Sequence, residues 1–290
     1  MAIAISGKTK ILCVIGDPIE HTMSPAMHNA AIQALGLELV YVAFHVKQDQ
    51  LKQAFDGFRA LGILGINVTI PHKINVMQYL DDIDPVAKGI GAVNTVKNIG
   101  GKLHGRNTDA DGAAQALKNG GVVLKASKIA LIGAGGAARA VGFALVREGS
   151  NVTILARHDD VPAAADIVRD IKILFPSGKI DSCELGKESM DKVMPGANVV
   201  INATPVGMHP NANQCIIDAT CFHSGMHAFD LVYNPHDTLF LKHAQSAGCK
   251  VVHGIDMLAH QGAMAFEWWT GTKPPVDIMR DAAIKVLSTR

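Results

Sequence analysis

Residues 128–139 read Lys128-Ile-Ala-Leu-Ile-Gly-Ala-Gly-Gly-Ala-Ala-Arg139, and the reading of the fold turns on them. Ile129–Ile132 is a short apolar run that reads as a strand, Gly133, Ala134, Gly135, Gly136 and Ala137 form a turn, and a helical pattern follows. Gly133 permits the tight turn, Gly135 lets backbone amides approach a pyrophosphate, and Ala138 fills the close-packing third position. The helix start then offers unpaired N–H groups and a positive dipole end to phosphates. A second strand, Val152–Leu155, stands about twenty residues further on, where a dinucleotide-binding βαβ unit places it. An ordinary glycine-rich turn is the plainer alternative for these residues alone.

The end of that second strand bears on the ribose. An NAD site normally carries Asp or Glu there; this chain has Leu155-Ala-Arg-His-Asp-Asp160. Arg157 suits a bidentate 2′-phosphate and so favours NADP. Asp159 suits a free 2′-hydroxyl or repels a phosphate, which leaves NAD open, as does a reading of both charges as solvated loop residues.

Around this unit, apolar stretches alternate with helical patterns, as in βαβ units around mainly parallel sheets. Toward the N-terminus the spacing predicts strands at 11–15, 39–46 and 65–69, and helices at 24–35 and 51–61. A hairpin follows from 93–97 and 102–104, turned at Asn98-Ile-Gly-Gly. The second series runs from a helix at 110–119 through strands to about 253, and helices at 256–269 and 276–287 close the chain. The expected fold class is α/β with two domains: an N-terminal α/β domain, 1–108, completed by 256–290, and a Rossmann-like dinucleotide domain, 109–255.

With 290 residues the chain holds about two domains of the usual ~150 residues each. Hydrophobic residues at 48% and charged ones at 18% make it globular, and a net charge of +1 gives no footprint for nucleic acid or an anionic membrane. No apolar run approaches the roughly eighteen residues of a membrane span, and the start Met1-Ala-Ile-Ala-Ile-Ser-Gly7 is too short for a signal peptide. Cys13, Cys183, Cys215, Cys221 and Cys249 are scattered, with no Cys-x-x-Cys pair, so a reduced, cytoplasmic protein is expected. His223 and His227 are four apart, but Gly225 between them disfavours the rigid helix a metal pair needs, and no metal site is expected.

Polar residues cluster in the first domain. Thr22 and Ser24 follow the first strand and suit a carboxylate or diol, though Ser24 before Pro25 also reads as an N-cap. Asn67 and Thr69 run into Pro71 and deliver Lys73 at the carboxyl edge of a strand, where α/β sheets place ligands. A lysine there suits proton transfer to a substrate hydroxyl; a solvated lysine is the alternative. Asn94-Thr95 and Asn107-Thr-Asp109 add amides, hydroxyls and a carboxylate, Asp109 also reading as an N-cap. Asn202-Ala-Thr204 follows a strand of the second domain, where its loop suits a nicotinamide, and Gln261 sits on a late helix.

Eight segments then occur in order: His21-Thr-Met-Ser-Pro-x-x-His-Asn29, Asn67-Val-Thr-x-Pro-x-Lys73, Gly91-Ala-Val-Asn-Thr95, Asn107-Thr-Asp109, Gly133-Ala-Gly-Gly-Ala137, Asn202-Ala-Thr-Pro-x-Gly-Met208, Asp230-Leu-Val-Tyr-Asn-Pro235 and Gly254-x-x-Met-Leu-x-x-Gln-Gly-Ala263. In order and spacing they resemble the motifs of the shikimate/quinate dehydrogenase family. The resemblance implies two domains flanking a cleft and NADPH-dependent reduction of 3-dehydroshikimate to shikimate, a step of chorismate and aromatic amino-acid synthesis. It implies Lys73 and Asp109 as the catalytic pair, and Thr22 and Ser24 on the substrate carboxylate. Thr69, Asn94, Asp109 and Gln261 would meet the ring hydroxyls, with Tyr233 lining the site. Gly133 to Ala137 would cradle the pyrophosphate, Arg157 the ribose phosphate, and Thr204, Leu231 and Gly254 the nicotinamide side.

Three positions depart from the pattern. Thr22 stands where serine is common, Ala156 replaces an asparagine and His158 a threonine, so the cofactor loop is also similar to members that accept quinate and NAD. A quinate/shikimate dehydrogenase using NAD or both cofactors is therefore the alternative, and a non-catalytic NADP-binding regulator a more distant one. The expected partners are the small hydroxy acid and cofactor, with no nucleic acid or membrane and a homodimer left open.

Overall fold

A computed structural model describes residues 5–288. The chain divides into two compact units, Met1–Thr108 with Ala259–Arg290, and Asp109–Leu258.

The first unit opens with β1 (Lys10–Gly16), α1 (Ser24–Leu35), β2 (Leu39–His45), α2 (Leu51–Ala60) and β3 (Gly65–Val68), followed by β4 (Asp82–Ile83), α3 (Pro85–Ile90), β5 (Thr95–Ile99) and β6 (Lys102–Arg106). Its sheet has the order β2-β1-β3-β5-β6-β4. β1 runs parallel to both β2 and β3, whereas β5 pairs antiparallel with β3 and with β6. The sheet is mixed because the β5–β6 hairpin reverses at Gly100 and Gly101, whose φ of 60° and 85° only glycine adopts without strain. On α2, Leu51, Phe55 and Phe58 recur on one face and close over the sheet with Cys13, Ile15 and Ile66.

The second unit holds α4 (Asp109–Asn119), β7 (Lys128–Ile132), α5 (Gly136–Arg147), β8 (Asn151–Ala156), α6 (Val161–Leu174), β9 (Ile180–Glu184), α7 (Lys187–Val193), β10 (Val199–Asn202), β11 (His227–Asp230), α8 (Leu239–Ser246) and β12 (Lys250–Val252). All its strand pairs are parallel, in the order β12-β11-β10-β7-β8-β9. The order reverses between β7 and β10, and carboxyl ends at such a switch point form the binding crevice of doubly wound sheets. The division between units falls inside α9 (Gly254–Thr270), and α10 (Val276–Ser288) then packs along α1. No described helix is long and apolar enough to cross a membrane.

Two expected caps are corrected. Ser24 is already the first residue of α1, preceded by Met23, and no side chain caps the helix; Ser24 is buried, and its own N–H donates to Thr22 Oγ1 at 3.2 Å. Asp109 likewise is the first helical residue of α4, not the residue before it. The other punctuation holds: Pro25 stands in the first turn and Gly36 ends α1 at φ 62°.

Candidate functional site

In the first unit, the polar residues that the sequence scatters over more than two hundred positions form one buried network. The Tyr41 hydroxyl donates to Asn67 Oδ1 at 2.7 Å. Asn67 Nδ2 donates to the Asn94 carbonyl and to Thr95 Oγ1, each at 3.2 Å. The Thr95 hydroxyl donates to Asn94 Oδ1 at 2.9 Å, and Asn94 Nδ2 donates to Thr108 Oγ1 at 3.0 Å and to Gln261 Oε1 at 3.4 Å. Gln261, which a helical surface reading would leave exposed, is 8% accessible. Strand pairing builds the row: Asn67 and Thr95 are register partners across β3 and β5.

Tyr41 joins this row to the α1 end. Burial pushes its phenol well above the ordinary value, opposed by a hydrogen bond from Ser24. Ser24 thus reaches Asn67, Asn94 and Gln261 through one buried hydroxyl, and Thr22 abuts it through the Ser24 N–H. Thr69 continues β3 by donating its N–H to the Ile15 carbonyl at 3.0 Å. Its methyl lies 2.6 Å from where a Cβ on Gly16 would stand, so glycine there lets Thr69 approach β1. Lys73 is anchored by main chain, its carbonyl accepting from Val93 N at 2.8 Å. That bond ties the lysine's segment to the one carrying Asn94. Asp109 follows Thr108 in the chain and is 8% accessible.

In the second unit, Gly133 takes φ 114° as it leaves β7, and its N–H donates to the Leu155 carbonyl at 2.9 Å. No side chain caps α5, and Gly135, Gly136 and Ala137 are exposed. A Cβ on Gly135 or Gly136 would meet nothing within 4 Å. Uncapped amides, a helix dipole of 12 residues and open space in front fit a pyrophosphate. Arg157 follows β8 and is exposed, but Asp160 already engages it: Nε and Nη2 both donate to Asp160 Oδ2, at 3.0 and 2.9 Å. Asp159 is exposed beside it. Thr204 is folded back on its own loop, its N–H and hydroxyl both donating to Asn202 Oδ1 at 3.0 and 2.7 Å. Leu231 and Gly254 belong together: a Cβ on Gly254 would stand 2.6 Å from the Leu231 carbonyl oxygen. Tyr233 is half-buried and lies in this unit, unlike the rest of the expected substrate residues apart from Asp109.

Three features escape sequence reading. Tyr41 carries no motif signal, since its value depends on β2 lying beside β1. Asp230 is one of six letters in a motif, yet it is fully buried and accepts three hydrogen bonds. Finally, Asp237 Oδ1 lies 3.2 Å from His236 Nδ1 and 3.1 Å from His253 Nε2, a grouping of potential metal donors all within 4.8 Å. The two imidazoles stack 4.3 Å apart and 21° from parallel.

Comparison with known proteins identifies the family. A family model described as shikimate dehydrogenase substrate binding domain matches residues 14–96, and the shikimate 5'-dehydrogenase C-terminal domain matches 254–284. The shikimate dehydrogenase (NADP(+)) of Methanocaldococcus jannaschii is 44% identical over 283 residues, covering 97% of this chain and 98% of that one. A shikimate dehydrogenase crystallised in complex with NADP+ is 43% identical with a TM-score of 0.92 over 98% of both chains. The shikimate 5-dehydrogenase of Thermus thermophilus, solved with NADP(H) and shikimate, is 37% identical with a TM-score of 0.86, covering 95% of this chain and 99% of that one. Similarity of this extent, over a glycine turn and an amide-hydroxyl row on the expected strands, shows that the chain belongs to the shikimate dehydrogenase family.

Proposed function

We propose that this protein catalyses the reversible NADPH-dependent reduction of 3-dehydroshikimate to shikimate. The observation that carries the reading is the buried row of Asn67, Asn94, Thr95, Thr108 and Gln261, tied by main chain to the segment of Lys73. A polyhydroxy ring is recognised by neutral donors and acceptors held rigid by one another, and this row supplies them without a buried cation.

In this reading Thr22 and Ser24 receive the substrate carboxylate, and Thr69, Asn94, Asp109 and Gln261 meet the ring hydroxyls, with Tyr233 against the ring. Gly133, Ala134, Gly135, Gly136 and Ala137 cradle the pyrophosphate at the start of α5, and Arg157 takes the 2′-phosphate, beside Asp159. Thr204, Leu231 and Gly254 form the nicotinamide side. NADPH, when bound, supplies the hydride that reduces the carbonyl carbon. As the carbonyl π pair moves to oxygen, the Lys73 ammonium stabilises the developing alkoxide and gives it a proton. Asp109 orients the lysine and the adjacent substrate hydroxyl. In the reverse direction Lys73 accepts the hydroxyl proton. All five cysteines are unpaired, which supports a reducing compartment such as the cytoplasm.

The test crosses shikimate and quinate with NADP+ and NAD+ and follows the absorbance of the reduced nicotinamide. Shikimate with NADP+ is expected to give the highest kcat/KM. An optimum with quinate and NAD+ overturns the substrate and cofactor assignments.

A further inference from the structure

Asp230 ends β11 with no accessible surface, and its partners are all neutral. Oδ1 accepts from Asn202 Nδ2 at 2.9 Å and from Val232 N at 3.0 Å, and Oδ2 accepts from the Thr238 hydroxyl at 2.6 Å. Burial pushes this carboxyl up to about 6, against the pull of those three bonds. A buried carboxylate without a countercharge is costly, so what it organises matters. Three donors converge on a group that, ionised, only accepts. An amide of the same shape would turn its NH2 toward one of those donors.

The consequences spread along the carboxyl edge of the sheet. Because Asp230 only accepts, Asn202 must present Nδ2 to it and therefore Oδ1 to Thr204, which donates twice. The Thr204 methyl and the Ala203 carbonyl oxygen lie 3.0 and 3.1 Å from where a Cβ on Gly133 would stand, so this loop forms the wall of the glycine turn. On the other flank, the Asp230 and Leu231 carbonyl oxygens lie 2.8 and 2.6 Å from the same point on Gly254. Thr238 also caps α8, accepting from Leu241 N at 3.3 Å.

We propose that Asp230 is a positioning residue for the cofactor, its carboxylate holding the loops of Thr204 and Leu231 in register with the glycine turn. The inference rests on the reading of those loops as the nicotinamide side. The test titrates NADP+ and NADPH by calorimetry into the wild-type chain and into Asp230→Asn, Thr238→Val and Thr238→Ser, with the KM for shikimate and the melting temperature measured in parallel. Leaving a buried donor without its acceptor corresponds to about tenfold weaker binding of both cofactor forms in Asp230→Asn, and leaving Asp230 Oδ2 without the Thr238 donor to about threefold in Thr238→Val. Thr238→Ser keeps the hydroxyl and is expected to bind as wild type, and the shikimate KM stays within about twofold throughout. A folded Asp230→Asn with unchanged cofactor affinity overturns the proposal, as does equal weakening of shikimate and cofactor. Should Asp230→Asn fail to fold, Thr238→Val decides: unchanged affinity there overturns it. A wild-type chain that binds neither NADP+ nor NADPH removes the functional reading and this inference together.

Discussion

His28 lies flat against Tyr41, the ring centroids 4.2 Å apart and the planes within 4° of parallel. Phe266 and Trp269 complete the enclosure, and neither imidazole nitrogen has a hydrogen-bond partner among the described residues. Histidine here is a neutral aromatic plate under the hydroxyl that links Ser24 to Asn67.

Burial lowers the His28 pKa to about 3, from an ordinary 6.5. Between those values the unfolded chain binds a proton that the folded chain refuses. The stability contributed by neutral His28 is therefore complete above pH 6.5 and lost as pH falls toward 3, at up to about 1.4 kcal/mol per pH unit. Unfolding free energies from urea titrations between pH 7 and 4 should fall in the wild type and fall less in His28→Phe, by roughly 3 kcal/mol over that span. Asp230, raised to about 6, acts in the opposite sense: its folded form binds the extra proton, so acid favours folding there and Asp230→Asn steepens the acid loss. Identical slopes in the wild type and His28→Phe would show that His28 is solvated.

Lys73 is assigned the proton transfer, which catalytic acids and bases accelerate by ~10² to 10⁴. Lys73→Ala is expected to lower kcat by ~10² or more while the shikimate KM is largely kept. Steady-state kinetics in which only KM rises would reassign the lysine to binding.

Arg157 must leave Asp160 to grip a 2′-phosphate. An exposed ion pair of this kind is worth ~0–1 kcal/mol, so its removal is a small but directional change. Asp160→Asn should raise the kcat/KM ratio of NADP+ over NAD+ up to about fivefold, and Arg157→Ala should lower it by about tenfold or more. A ratio indifferent to both changes would place the ribose specificity elsewhere.

Asn67 satisfies three buried groups at once, the Tyr41 hydroxyl, the Asn94 carbonyl and the Thr95 hydroxyl. Asn67→Ala removes the acceptor of the Tyr41 hydroxyl and one of the two donors to the Asn94 carbonyl, which keeps Val68 N, and leaves Thr95 on Asn94 Oδ1; it should cost about 2 kcal/mol in denaturant unfolding, whereas Tyr41→Phe, which keeps the stack on His28, should cost about 1 kcal/mol. Equal costs would mean that the Tyr41–Asn67 bond accounts for the whole effect and that the bonds of Asn67 to Asn94 and Thr95 add nothing measurable.

Sequence alone determined what depends on residues a few positions apart. The strand–glycine–helix unit at 129–147, the reversal at Gly100-Gly101, and the start and stop of α1 at Pro25 and Gly36 are backbone requirements, and a backbone requirement is written beside the place where it acts. Tertiary structure decided which polar groups satisfy each other. Asn202 and Asp230 are 28 residues apart and meet only because β10 and β11 pair in that register. Ser24 faces Tyr41 instead of capping its helix, and Arg157 spends its guanidinium on Asp160. Each of these groups has several possible partners along the chain. The choice among them falls to whichever partner remains once the strands pack and water is excluded, because an unpaired buried polar group then costs more than any local preference supplies.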